Sequence, residues 1–188
     1  MIQKRYDSLS RLLHWSMAAI IIYATVAGYV MHLVVGTKAF EVLSVLNMSF
    51  ATIGTVLFVM RWVWSYFRPA VASVNSTTTF EKNIAKFVHS VLYLLMFLVF
   101  VSGFLMLKEP YWFFWLVKVP NPVTDMVIND FFFFVHRASC AVLGLVVVMH
   151  IGAVVYHQFW LRDNLIARLM PSKPKPVVMH LSQKKGRV

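Results

Sequence analysis

Four long runs of apolar residues, separated by shorter polar or aromatic segments, dominate the chain. They cover residues 12–35, 42–64, 87–107 and 131–158. About 20 mostly apolar residues cross the hydrocarbon core of a bilayer as a helix, so each run is long enough for one span. The runs are too long and continuous for barrel strands, and only helices and closed barrels satisfy every backbone group in lipid. The pattern predicts an all-α integral membrane four-helix bundle with short connections.

Composition agrees with a membrane location. Hydrophobic residues make up 60% of the 188 positions and charged residues only 13%, which is outside the range of soluble globular proteins. We expect one domain over residues 1–170 and a basic tail over 171–188. The first run is too long for a signal peptide and lacks a small-residue cleavage pattern, so it is expected to be retained. Cys140 is the single cysteine, which excludes an intramolecular disulfide.

The net charge of +11 indicates orientation rather than nucleic-acid binding. With four spans, the two tails and the middle connection share one side of the membrane. That side carries fourteen Lys and Arg against three Asp and Glu, whereas the opposite side carries four of each. The positive-inside rule therefore predicts that both termini are cytoplasmic.

Two connections carry local signals. Residues 75–79 form a polar run before the third span, and Ser76 or a nearby threonine is expected to cap a short helix that leads into this span. Residues 110–115 are rich in aromatic side chains and precede Pro120 and Pro122. This segment is expected to lie in the membrane interface as part of an aromatic belt, or alternatively to cover a site at the outer leaflet.

Several of the seven histidines fall inside the apolar runs, where an imidazole without partners costs free energy. His136 and His150 are fourteen residues apart on the fourth span, which is about 40° short of four full helical turns. They therefore share a face and are separated by about 21 Å along the helix axis. Such a pair suits two stacked cofactors, one near each leaflet.

Haem is the cofactor that this arrangement favours. A six-coordinate haem iron needs a second axial ligand from another helix, and His14, near the start of the first span, matches the depth of His150. No Cys-x-x-Cys-His motif occurs, so such a haem would be b-type. The alternative is that the histidines only hydrogen-bond the helices together, which two facing pairs would make improbable.

The outer partner of His136 is the weak point of a two-haem arrangement. Asn47 occupies the corresponding depth on the second span, and asparagine is a poor iron ligand. His32, near the outer end of the first span, could substitute, but it lies closer to the surface and equally suits an interfacial side chain. The number of haems stays open at this point.

Other side chains are candidates for supporting roles. His89 is expected to bond a haem propionate or a quinone carbonyl, with helix packing and iron ligation as alternatives. Arg61 and Arg137 lie near the membrane boundaries beside the two proposed cofactor levels, where propionates are natural partners for a guanidinium. Snorkelling without a partner is the alternative for Arg61. His157 marks the exit from the fourth span, either as a surface side chain or in quinone protonation.

Taken together, these residues resemble the bacterial cytochrome b561 family, which is related to the cytochrome b subunits of nickel-iron hydrogenases and formate dehydrogenases. The likeness extends to about Pro171. It is carried by residues 6–15 (YDSLSRLLHW), Arg61, residues 89–95 (HSVLYLL), His136, His150, residues 156–164 (YHQFWLRDN) and residues 168–171 (RLMP).

The resemblance implies a multi-pass protein of the bacterial inner membrane with two b haems. His14 and His150 look like the cytoplasmic-side axial pair and His136 like one outer-side ligand. The family's histidine on the second span falls on Asn47, which is the main departure. Some members oxidise superoxide at the periplasmic face and reduce ubiquinone.

Three functions are consistent with these features. The first is a free-standing, quinone-linked oxidoreductase that carries electrons between the ubiquinone pool and a periplasmic donor or superoxide. The second is a membrane-anchor cytochrome b subunit of a larger dehydrogenase, which predicts an iron-sulfur partner. The third is a haem-free small transporter or assembly protein, which predicts a colourless preparation.

Overall fold

The computed structural model describes residues 5–71, 78–162 and 165–170. Its long helices are α1 (Ser8–Leu33), α2 (Lys38–Phe67), α3 (Thr79–Leu105) and α4 (Met126–Phe159), and a short α5 (Leu165–Leu169) follows. All four long helices are long and apolar enough to cross a membrane. The predicted helical membrane fold is confirmed. The cytoplasmic location of the termini and the domain boundary at residue 170 stay predictions, and the basic tail lies outside the described residues.

Each long helix begins ahead of the apolar run that predicted it, at a polar capping residue. In each case the side chain of the cap accepts a hydrogen bond from a backbone N–H group of the first turn. The four capping residues are Asp7, Thr37, Thr78 and Asp125. At α3, Thr78 and Glu81 form a complete capping box. This confirms the expected threonine cap, while Ser76 lies outside the described residues. The apolar runs therefore place the four helices but begin four to eight residues after the helix starts.

The bundle has a small shared core. Helix α1 packs along α2 and α3 along α4, whereas α2 and α3 meet over a shorter stretch. The central cluster takes one or two side chains from each long helix, namely Met17, Ile21, Phe58, Leu95, Phe100 and Leu143. Most other large apolar side chains face outward. Lipid covers such surfaces in a membrane, so close helix contacts matter more than a large core.

Gly54 lies where α2 passes between α1 and α3. A Cβ atom at this position would lie 3.0 Å from Ile20 Cγ2 on one side and 3.0 Å from Phe100 Cζ on the other. Small residues allow such close approaches in membrane helices, where no hydrophobic force drives helices together. The absent side chain at Gly54 therefore sets the spacing of three helices.

The aromatic connection between α3 and α4 forms a β-hairpin that the sequence pattern did not predict. Strands β1 (Tyr111–Phe113) and β2 (Val117–Val119) pair antiparallel. Phe114 and Trp115 occupy the turn with φ of 44° and 59°, a region that non-glycine residues seldom adopt. Surrounding contacts must therefore hold this turn in place.

Contacts with α2 supply that support. The Phe114 N–H donates to Ser49 Oγ at 2.8 Å, and the hydroxyls of Tyr111 and Thr52 lie 2.9 Å apart. Trp112 and Trp115 stay exposed on the other side of the hairpin. The exposed side chains suit the predicted aromatic belt, while the anchored ones pack against α2 at Ser49 and Thr52.

Candidate functional site

The inner end of the bundle, where α1 and α3 begin and α2 and α4 end, contains a cavity of about 670 Å³. This volume is typical of sites for small molecules and cofactors. Helices α1, α2, α3 and α5 form its walls, and its polar lining comprises Tyr6, Ser10, His14, Arg61, Trp64, Ser65, Arg68, Lys86, His89, Ser90 and Tyr93. The inner end is the one predicted to face the cytoplasm.

Three histidines from three different helices gather here. His14 of α1 and His89 of α3 line the cavity. The ring of His150, on α4, lies edge-on to the His89 ring with 5.3 Å between centroids. His89 and His150 both lie within electrostatic range of His14. The predicted grouping of His14, His89 and His150 is therefore present at one end of the bundle.

The three imidazoles differ in how their nitrogens are used. Within the described residues, the rings of His14 and His150 make aromatic contacts, with Trp15 and His89 respectively, but no hydrogen bonds. His89 Nδ1 lies 2.6 Å from the backbone oxygen of Ala85, so it donates as N–H. His14 and His150 thus keep nitrogen lone pairs available for a ligand, while His89 is fixed in one orientation.

Arg61 adds a positive charge to the cavity wall. Its Nε donates to the Tyr93 hydroxyl at 3.1 Å, and its guanidinium lies 5.9 Å from the centre of that ring. The cavity is also lined by Arg68 and Lys86, and none of the described residues that line it carries a carboxylate. Three cations on one cavity wall, of which Arg61 is half-buried and Arg68 and Lys86 are exposed, favour an anionic ligand such as a carboxylate.

Tyr93, Arg68 and Lys86 were not predicted as site residues. Tyr93 falls within the segment 89–95 that carried the family resemblance, but only the structure places its hydroxyl against Arg61. Arg68 and Lys86 were counted as orientation charges on the predicted cytoplasmic side. In the sequence, Arg68 precedes residues 72–77 and Lys86 follows them, and this separation does not indicate that both side chains line the same cavity.

Short contacts between the N-terminal segment and α5 close one side of the cavity. Arg11 Nη1 donates a hydrogen bond to the backbone oxygen of Met170, just after α5, at 2.9 Å. Trp15 Nε1 donates to the backbone oxygen of Leu169, the last residue of α5, at 3.2 Å. The Tyr6 N–H donates to the Arg168 oxygen at 3.3 Å. Backbone carbonyl groups in the last turn of a helix have no hydrogen-bond partner within the helix. These donors therefore stabilise the end of α5, where Leu169 lines the cavity.

Asp7 joins α1 to α2 beside this cavity. Its carboxylate accepts hydrogen bonds from the backbone N–H of Ser10 at 3.0 Å, from the Ser10 hydroxyl at 2.6 Å and from Trp64 Nε1 at 3.2 Å. Partial burial acts to raise the pKa of Asp7, but the hydrogen bonds from Ser10 and Trp64 outweigh it and hold the pKa below its usual value.

A lowered folded-state pKa makes Asp7 a source of acid sensitivity. Its contribution to stability is fully present above the unfolded-state pKa and is lost as the pH falls through the folded-state pKa. We expect the melting temperature of the detergent-solubilised chain to fall more steeply on acidification for wild type than for Asp7→Asn. Parallel pH profiles for the two proteins would contradict this assignment.

The outer end, where α2 and α4 begin, is organised differently. His136 Nδ1 lies 3.0 Å from the Val99 backbone oxygen and 3.2 Å from Ser102 Oγ, both on α3. Its Nε2 lies 3.4 Å from the sulfur of Cys140. This histidine bridges α3 and α4 instead of joining the inner group.

The other outer candidates stand apart from His136. Arg137 lies with its guanidinium 5.7 Å from the centre of the Phe133 ring on its own helix. His32 is exposed in the last turn of α1. The amide oxygen of Asn47 is buried without a hydrogen-bond partner in the described part of the chain.

The two ends differ in their fit to haem. Among the described residues, no group of three or more His, Cys, Asp or Glu could hold a bare metal ion. A haem iron brings four ligands from its macrocycle and needs only two from the protein. The inner end offers two histidines with free nitrogens, a cavity and cations for the propionates, so its residues fit haem.

Comparison with known proteins gave one match. The family model described as "Prokaryotic cytochrome b561" matches residues 5–172, which is most of the chain and includes every residue of both ends discussed above. No curated protein matches the chain.

Proposed function

The chain belongs to the prokaryotic cytochrome b561 family, and from that premise we propose that His14 and His150 are the axial ligands of its haem b. Family membership identifies a membrane b-type cytochrome that acts in electron transfer. The observation that carries the residue assignment is that, within the described part of the chain, the imidazoles of His14 and His150 make no hydrogen bonds, while His14 lines the cationic cavity and His150 contacts His89 in its wall. Bound haem supplies an iron centre that gains and loses one electron.

The residues around the axial pair have separable tasks in this proposal. Arg61, Arg68 and Lys86 bind the propionates, since all three line the cavity and a guanidinium or ammonium group is a natural partner for a carboxylate. Tyr93 orients Arg61 by accepting its Nε–H. The contacts of Arg11 and Trp15 with α5 limit access of water to the cavity.

We propose that ubiquinone exchanges electrons at the same cavity. A quinone bound here needs hydrogen-bond partners for its oxygens, which are carbonyls in the oxidised form and hydroxyls in the reduced form. His89 suits this role, because its Nδ1–H is fixed on the Ala85 oxygen, which sets the ring so that Nε2 can accept a hydrogen bond from a quinol hydroxyl. Ser90 lines the same wall and offers a hydroxyl to a quinone oxygen.

A His89→Gln variant tests the quinone site. We expect full haem content, but oxidation of the reduced protein by a short-chain ubiquinone to slow by about 5-fold, the effect of losing one hydrogen bond of about 1 kcal/mol. Stopped-flow absorbance of the haem measures this rate, and Asn83→Ala on the same helix is the control. An unchanged rate would place quinone elsewhere, and loss of haem would make His89 an axial ligand.

A periplasmic donor, superoxide included, requires a redox group that can be reached from the outer end. The membrane-anchor alternative requires a protein partner, and no observation on this chain favours it. The choice of donor therefore depends on whether the outer end holds a second haem.

A further inference from the structure

We infer that the outer end of this chain does not hold a haem and that the protein carries a single haem, at the inner end. The inference rests on the proposed function for the inner haem. It departs from what the family resemblance implies, which is two haems. Four features of the outer end support it.

The first feature is the state of His136. Both of its ring nitrogens are engaged, Nδ1 with Val99 and Ser102 of α3 and Nε2 with Cys140 one turn along α4. Among residues 5–71, 78–162 and 165–170, the rings of His14 and His150 have no such bonds. An axial ligand can keep Nδ1 hydrogen-bonded, but it must direct Nε2 at the iron, and here that nitrogen faces the sulfur of its own helix.

The second feature is the place where the His136 ring packs. A Cβ atom on Gly103 would lie 3.1 Å from His136 Cε1, so the ring fills the notch that this glycine leaves in α3. The buried Ser102 lies beside it. His136 therefore behaves as a packing residue between α3 and α4, which is the alternative that the sequence left open.

The third feature is the opposing residue. Asn47 lies seven residues before Gly54 and eleven before Phe58, which places all three on the inward face of α2. Its amide oxygen is buried without a partner, and a neutral amide is a poor ligand for haem iron. Among the described residues, α2 contains no histidine that could take its place.

The fourth feature is an aromatic layer that fills this end, formed by Tyr23, Phe50, Phe104, Tyr111 and Phe114. The ring of Phe50 lies 4.9 Å from that of Tyr23 and 5.4 Å from that of Phe114, while Tyr111 and Phe104 are 6.2 Å apart. The hairpin that carries Tyr111 and Phe114 is fixed to α2 through Ser49, which is fully buried. Side chains of the chain itself thus occupy the region around Asn47.

A single inner haem changes the direction in which electrons can travel. His136 and His150 are separated by about 21 Å along α4, and without a haem at the outer level no relay spans that distance. The electron donor must then reach the inner end. Oxidation of superoxide at the outer face would have no redox group to receive the electron.

The test is the haem-to-protein ratio of the purified full-length chain by the pyridine haemochrome assay, for wild type, His136→Gln and His14→Ala. We expect one haem per chain in wild type and in His136→Gln, with a single-step redox titration for both, and loss of haem in His14→Ala. Two haems in wild type, or a lower ratio in His136→Gln, would overturn the inference. If His136→Gln fails to fold, the wild-type ratio still decides.

The same assay separates this inference from the proposed function. A wild-type ratio of two with one haem lost in His14→Ala would overturn only the single-haem inference. A single haem that survives in His14→Ala but is lost in His136→Gln would overturn both the inner assignment and this inference. A colourless wild-type protein would also overturn both.

Discussion

Replacement of His150 by alanine is expected to leave the purified protein without haem. A b-type haem is held only by coordination and packing, so the loss of one axial imidazole removes the attachment that α4 is proposed to provide. Loss of residues that merely orient metal ligands costs about 10- to 100-fold in affinity, and loss of a ligand itself is expected to exceed that. The haem-to-protein ratio measures the effect directly.

Controls for this prediction are available within the same end of the bundle. His157→Ala changes a histidine in the last turn of α4, seven residues beyond the one that contacts His89, and is expected to keep the haem. His14→Ala is expected to match His150→Ala, because the two imidazoles act as a pair. Full haem content in His150→Ala, with a normal absorption spectrum, would remove His150 from the axial pair.

Substitution of Gly54 by valine is expected to be the most damaging change outside the haem site. Its new methyl groups would extend from a Cβ that already lies 3.0 Å from both Ile20 and Phe100. Relief requires α1 or α3 to move away from α2, and overpacking of this kind costs about 1–3 kcal/mol. The shared core is small, so we expect a large loss of monodisperse folded protein in detergent.

Gly28→Val is the matched control for this change. Gly28 lies within α1, as Gly54 lies within α2, but a Cβ atom there would have no neighbour within 4 Å. Thermal unfolding followed by circular dichroism should therefore show a much lower midpoint for Gly54→Val than for Gly28→Val. Equal midpoints would mean that the three-helix crossing does not depend on the missing side chain.

The membrane fold could be predicted from the sequence because length and hydropathy are strong, local signals. Four runs of the right length gave four helices, and the polar residues ahead of them gave the caps. The hairpin could not be predicted in this way, since its aromatic residues suit a membrane interface in any backbone conformation. Its conformation depends on Ser49 and Thr52, which are far away along the chain.

The inner site was predictable to the extent that ionisable residues at membrane depth are costly. That cost singled out His14, His89 and His150, and the structure groups them at one end. The hydrogen bond between Tyr93 and Arg61 was not predictable, because it depends on how α2 and α3 pack against each other near Arg61.

The outer site shows what helical periodicity leaves out. Spacing along α4 placed His136 and His150 on one face, but it could not reveal which nitrogens are already bonded. The hydrogen bonds of His136 depend on the approach of α3, where Gly103 leaves room for the ring. The same helical spacing therefore relates His150, which makes no hydrogen bonds within the described residues, to His136, whose two ring nitrogens are both hydrogen-bonded.

Electron paramagnetic resonance of the oxidised, full-length wild-type chain tests the central claim most directly. Coordination of ferric haem by two neutral imidazoles, from His14 and His150, predicts a low-spin signal that disappears in both single alanine variants. A high-spin signal, which is typical of five-coordinate iron, or a low-spin signal that persists in either variant would contradict the axial pair on which this account depends.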